Sequence, residues 1–139
     1  MSIDTELLNK ALENSNNDDI INLTYDIIEN SKIKLYRIIN LDDCEIVKIQ
    51  NQLKNYIFID TIDKLKIGNY LRWIKVEEKY LYKGGFLLDI IIANENINLL
   101  MKNITNKTFT IVFNDIYLFK KISNQENIIL KAMEYLQKK

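Results

Sequence analysis

The chain has 139 residues, 47% hydrophobic and 27% charged, enough to enclose a core of its own as one domain. It contains no His and one Cys, which removes imidazole acid–base chemistry, His-ligated zinc, CxxC redox pairs and intramolecular disulfides. The absence of Pro and the presence of only three Gly exclude collagen-like and PxxP segments and leave the turns to Asn, Asp and Lys.

The first ten residues, MSIDTELLNK, lack a basic stretch followed by an apolar one, and no run approaches the roughly 18 apolar residues of a membrane span. A soluble intracellular protein of the cytoplasm or nucleus, without a membrane partner, is expected. The sequons at Asn22, Asn103 and Asn106 are then chance products of an Asn-rich chain. Basic and acidic side chains both number 19, but they are unevenly placed. Residues 1–63 carry six basic and twelve acidic groups and residues 64–139 thirteen and seven, a swing from −6 to +6. The hydrophobic period changes at the same point, so an acidic helical lobe (1–63) and a basic lobe (64–139) are expected, packed as one unit.

In the first lobe the period is helical. Ile3, Leu7, Leu8, Ala11 and Leu12 form one stripe, broken by Asn14 to Asn17. Asp18 and Asp19 are placed to cap a second stripe of Ile20, Ile21, Thr24, Ile27 and Ile28. The run IKLYRII fits a continued helix through Leu35, Ile38 and Ile39 and also a short strand through Ile33 and Leu35; the helix is the favoured reading. Asp42 and Glu45 have capping-box spacing and open a third helix with a face of Ile46, Ile49, Gln50, Leu53, Tyr56 and Ile57.

From Leu65 the period drops to two. Leu65, Ile67, Leu71 and Trp73 share one face of a first strand, Phe86, Leu88, Ile90 and Ile92 of a second, Ile97, Leu99 and Met101 of a third, and Phe109, Ile111 and Phe113 of a fourth. A fifth is expected around Tyr117 to Lys121. Hairpin-length links make consecutive strands antiparallel neighbours, and Lys83-Gly84-Gly85 reads as a hairpin turn. Ser123 and Glu126 form a second capping box, before an apolar stripe of Ile128, Ile129, Ala132, Met133, Tyr135 and Leu136 that ends in Lys138 and Lys139. The expected architecture is α+β: N-terminal helices, a small antiparallel SH3-like or Tudor-like barrel of four to five strands, and a C-terminal amphipathic helix against its open end or edge.

The segment KLKIGNYLRWIKVEEKYLYKGGFLLDI, with its GNYxRWI strand, its GG turn and the later FNDIYLFKKIS leading into a helix, resembles small uncharacterised proteins of nucleocytoplasmic large DNA viruses, the giant viruses of protists. The resemblance covers about residues 64–138 and consists of barrel positions. It implies a viral origin, with the virus factory or virion as a further location, and it brings no catalytic motif. The abundance of Ile, Asn and Lys fits an AT-rich genome of any such source.

Candidate chemistry is sparse. Cys44 lies among Asp42, Asp43 and Glu45, whose charge disfavours a thiolate, and is read as a structural cysteine. The single Gly pair lacks the GK[ST] ending of a phosphate loop. The pairs Asp18/Asp19, Asp42/Asp43 and Glu77/Glu78 lack EF-hand spacing. No catalytic residue, metal site or cofactor is expected. The candidate binding surface is aromatic and basic: with alternate residues of the first strand inward, Lys66, Tyr70 and Arg72 point outward, close to Lys79, Tyr80, Tyr82 and Lys83 of the following loop. Such side chains stack on bases and neutralise phosphates, or clasp an acidic or methylated peptide. The alternative is that Tyr70 and Tyr82 pack under the last helix while the lysines solvate a rim. A non-enzymatic interaction or structural module, docking a protein partner or a copy of itself, is favoured over a nucleic-acid binder, because zero net charge opposes sequence-independent phosphate binding. An enzyme ranks last.

Overall fold

The computed structural model describes residues 5–14, 17, 20 and 23–137. Three helices come first: α1 (Thr5–Glu13), α2 (Tyr25–Ile38) and α3 (Asp43–Gln52). Thr24, expected on the apolar stripe of α2, is instead its N-cap: its backbone is extended and its hydroxyl accepts from the Ile27 N–H at 3.2 Å. The caps assigned to Asp18 and Asp19 lie outside the described residues. The favoured helical reading of IKLYRII holds, since α2 runs on to Ile38 and stops where Asn40 adopts a φ of 66°, a left-handed conformation that Asn tolerates well. The Asp42/Glu45 capping box is formed in both directions, at 2.8 and 3.1 Å. However, α3 ends at Gln52, so two residues expected on its stripe, Tyr56 and Ile57, belong to a strand.

That strand, β1 (Tyr56–Ile59), precedes β2 (Tyr70–Lys75), β3 (Gly85–Ala93), β4 (Asn96–Lys102), β5 (Thr108–Val112) and β6 (Ile116–Lys121), and helix α4 (Asn124–Gln137) follows. The strands form one antiparallel sheet in the order β1-β6-β2-β3-β4-β5. The sheet is open, and the expected four- to five-stranded barrel is not formed. It is nevertheless strongly curved, since Val112 at the end of β5 and Ile116 at the start of β6 are four residues apart although β4, β3 and β2 lie between those strands, and Trp73 of β2 meets Phe109 of β5 at 5.8 Å. On one face Leu71, Trp73, Leu87, Leu99, Met101 and Leu118 pack with Ala11 of α1 and Ile129 and Leu130 of α4. On the other, Tyr56, Ile74, Leu81 and Phe119 pack with Leu35 and Tyr36 of α2 and Ile49 and Leu53 of α3. Because β1 pairs with β6 from Tyr56↔Lys121 to Ile59↔Leu118, the sheet crosses the sequence boundary at residue 63.

The alternation is met in β4, where Leu99 and Met101 are fully buried, and it fails in two places. Ile67 is 61% exposed in a turn before β2. In β3 it is Leu87 that is buried, while Phe86 and Leu88 are 44% and 38% exposed. A register shift between Leu87 and Asp89 then returns Ile90 to a position opposite Leu99. One bulged residue inverts the parity of everything before it, and nothing in the period reveals where it falls.

Lys83-Gly84-Gly85 is likewise not the expected hairpin turn. The chain turns at Val76 and Glu77, where Glu77 takes a φ of 77°. Gly84 is required for another reason: a Cβ there would overlap the Tyr70 ring and the Leu71 carbonyl oxygen.

A buried polar network joins α2 to α3. The Lys32 ammonium, fully buried, donates to the Leu53 carbonyl at 2.7 Å and pairs with Glu29 at 2.8 Å. The Tyr36 hydroxyl donates to Gln50 Oε1 at 2.9 Å, and Gln50 Nε2 donates to Glu29. Burial, and secondarily the Glu29 charge, hold the Tyr36 phenol far above its usual range, and burial also raises Tyr25 and Tyr56. Above about pH 10 the unfolded chain therefore loses phenolic protons that the folded chain keeps, and stability falls as pH rises. Burial of Lys32 lowers its pKa and acts in the opposite sense up to about pH 10.5, so it offsets only the start of that fall. Urea midpoints should decline through pH 10 to 11.5, and Tyr36→Phe should flatten the decline. A wild-type profile that stays level above pH 10 would refute the assignment.

Candidate functional site

After the turn at Val76 and Glu77 the chain runs back along β2. Leu81 bridges to Ile74 and Gly85 pairs with Leu71, so two residues of β2 face three of the returning segment. This is a bulge, the device by which a strand re-aims its side chains. Arg72 holds it: its Nε donates to the Tyr82 carbonyl at 3.0 Å, and the Tyr82 N–H donates to the Trp73 carbonyl at 2.9 Å.

The bulge distributes the candidate residues unequally. Arg72, Lys79, Tyr80 and Lys83 line one depression of about 280 Å³, whose other wall is α3, through Glu45, Lys48, Ile49 and Gln52. Lys79 is tied down there by a hydrogen bond from its ammonium to the Asn40 carbonyl at 3.1 Å. Tyr70 lies next door, in a second depression of about 630 Å³ that shares Arg72 and Lys83 and is walled by Tyr56, Phe109 and Ile104. Tyr82 is directed elsewhere: it stacks on Trp73, with centroids 6.0 Å apart and planes 10° from parallel, and its hydroxyl donates to Glu78 at 2.7 Å. Lys75 sits 5.1 Å above that ring, and Tyr80 meets its edge at 4.9 Å. Lys66 is not brought to the site at all; it borders a separate hollow with Gly68, Asn69, Lys120 and Glu126. Of the two tyrosines that the alternative reading places under the last helix, Tyr82 packs against the buried cluster to which Ile129 and Leu130 of α4 belong. Tyr70 packs edge-on against Phe86 at 5.0 Å, beside the α2 and α3 cluster.

Sequence reasoning missed Lys48, Gln52 and Tyr56. Lys48 and Gln52 are four residues apart and so share one helical face, a signal present in the sequence. Together Lys48, Arg72, Lys79 and Lys83 set four cations against the single carboxylate of Glu45. The two terminal nitrogens of Arg72 make no hydrogen bond to the described residues. The arrangement suits a ligand with carboxylates or phosphates, because clustered charge of one sign beside low-dielectric walls concentrates the opposite charge.

The other candidates show no such convergence. Cys44, expected to be a structural cysteine, is exposed in the first turn of α3. Asp42 is occupied as the cap of α3 and Glu78 as the acceptor for Tyr82. Among the described residues there is no group of three or more His, Cys, Asp or Glu side chains that could hold a metal, and no helix long and apolar enough to cross a membrane. No known protein family, curated protein or solved structure matches the chain.

Proposed function

We propose that the chain is a non-enzymatic interaction module that receives an extended acidic segment of a protein partner in the groove between α3 and the bulged strand. One observation carries this reading: four cations and Tyr80 converge on one depression that contains a single carboxylate. A peptide supports the charge balance better than a nucleic acid does. A nucleic-acid backbone needs a continuous run of cations, whereas this cluster is local and is bounded by the acidic first turn of α3, with Asp43 and Glu45. Tyr80 gives the apolar contact that an aliphatic side chain of the segment would use.

The test is fluorescence anisotropy with a short Glu-rich peptide and an oligonucleotide of equal length, both at about 150 mM salt. The peptide should bind, and Lys48→Glu and Lys83→Glu should each weaken it about tenfold, equivalent to about 1.4 kcal/mol. Both lysines are exposed, so the fold should be retained. Oligonucleotide binding tighter than peptide binding, with a steep salt dependence, would reverse the order of the two readings.

A further inference from the structure

The depression beside the basic groove differs from it in kind. The buried Tyr56 and Trp73 form its floor, and the partly buried Tyr70 and Phe109 its sides. These rings are held in place by the fold alone. Tyr70 lies against the main chain at Gly84, where a Cβ would come within 2.4 Å of it, and its edge meets Phe86. Phe109 tilts on Trp73, which in turn stacks on Tyr82. Ile104 stands at the rim and is 87% exposed, more than any other large apolar side chain among the described residues. The loop that carries it is fixed, because the Asn103 carboxamide oxygen accepts the N–H groups of Thr105 and Lys107, each at 3.0 Å. Clustered aromatic rings ordinarily attract a cation. Here Arg72 and Lys83, which line both depressions, oppose one.

We propose that this depression is the anchor site for an aromatic side chain of the acidic segment, two residues along from a carboxylate held by Arg72 and Lys83. The inference rests on the groove reading above and narrows the partner to an acidic segment that carries an aromatic residue. Charge complementarity selects this occupant, since the same two cations border both depressions. The terminal nitrogens of Arg72, which make no hydrogen bond to the described residues, suit a carboxylate at the boundary. Side chains two apart on an extended segment project to one face at a spacing of about 7 Å, so adjoining depressions take both. An aromatic ring gains ring contacts with Tyr70 and Phe109 as well as apolar contact with Ile104, whereas an aliphatic side chain gains only the apolar part. Because the rings are already fixed, little of that gain is lost to ordering them.

Three Glu-rich peptides of equal charge, with Phe, Leu or Ala at one central position, provide the test by fluorescence anisotropy at about 150 mM salt. The Phe peptide should bind about tenfold more tightly than the Ala peptide, with the Leu peptide between them. Trp73 is the only Trp of the chain and lines this depression but not the basic groove, so its emission should shift with the Phe peptide and not with the Ala peptide. Ile104→Asn, at an exposed position, should reduce the Phe-to-Ala ratio to below about threefold and leave the Ala peptide unaffected. Lys48→Glu, in the groove alone, should weaken both peptides by the same factor and so preserve the ratio. Equal binding of the Phe and Ala peptides without a change at Trp73 would overturn the anchor site and leave the groove reading standing. A Leu peptide as tight as the Phe peptide would overturn the aromatic assignment. Binding of none of the three would overturn the groove reading, and the anchor site with it. An oligonucleotide of equal length that binds more tightly than the Phe peptide and shifts Trp73 emission would overturn the proposal in favour of a nucleobase.

Discussion

Glu126→Ala should destabilise the fold by about 3 to 5 kcal/mol, the range seen when one member of a buried ion pair is removed. Glu126 does two things at once. Its Oε1 accepts from the Ser123 N–H at 2.9 Å as half of the expected capping box of α4, which is formed in full, and its Oε2 meets the Lys120 ammonium at 3.1 Å. Both side chains of the pair are nearly inaccessible, at 5% and 6% exposure. Lys120 stands opposite Ile57 on β1 and Leu71 on β2, so its charge has apolar neighbours on either side. Loss of the carboxylate leaves that ammonium dehydrated and unpaired. The double variant Lys120→Met with Glu126→Gln removes both charges and keeps an acceptor for the cap, and should recover most of the loss. Urea titration of the two variants decides the matter: a Glu126→Ala variant as stable as the wild type would show that the pair is not buried in solution.

Trp73→Ala should cost about 3 to 5 kcal/mol as well, by a different route. The indole is 4% exposed, stacks on Tyr82 and tilts against Phe109 at 5.8 Å. It is therefore the piece that closes the space between β2, the bulged return segment and β5. Its removal empties a volume that the neighbouring backbone cannot collapse into, because the bulge is held by the Arg72 to Tyr82 hydrogen bond on the far side. With total stabilities of small domains at about 5 to 15 kcal/mol, such a variant should be near its unfolding midpoint at modest denaturant. Trp73→Phe should lose much less. A denaturation curve for Trp73→Ala that overlays the wild type would refute the role of this residue as a core anchor.

What could be read in the sequence is what local chemistry determines. The capping boxes at Asp42/Glu45 and Ser123/Glu126 need only residues three apart, and both are formed. The alternation of Ile97, Leu99 and Met101 is undisturbed, and β4 follows it. The failures share another origin. Tyr56 and Ile57 continue the stripe of α3 on paper, but β6, about sixty residues later, offers them a pairing edge that no local window contains. The parity of β3 depends on one bulge, and the need for Gly84 depends on where the Tyr70 ring lies. The same division runs through the site. Arg72, Lys79, Tyr80 and Lys83 were legible because a single turn connects them; Lys48 and Gln52 reach the cavity only through the packing of α3 on the opposite wall.

The position of β6 between β1 and β2 has a consequence for biosynthesis. A chain emerging from the ribosome offers β1 and β2 long before residues 116–121 exist, and neither strand has its native partner on that side until they do. The hairpins β3–β4 and β4–β5 can close early from neighbouring sequence, so the nascent chain should hold a formed sheet margin beside an unfilled central slot. Insertion of one strand into that slot then unites the two halves in a single late step that closes a loop of more than fifty residues to β1 and one of about forty to β2, the kind of event that slows folding and leaves strand edges open to chaperones or to other nascent chains in the meantime.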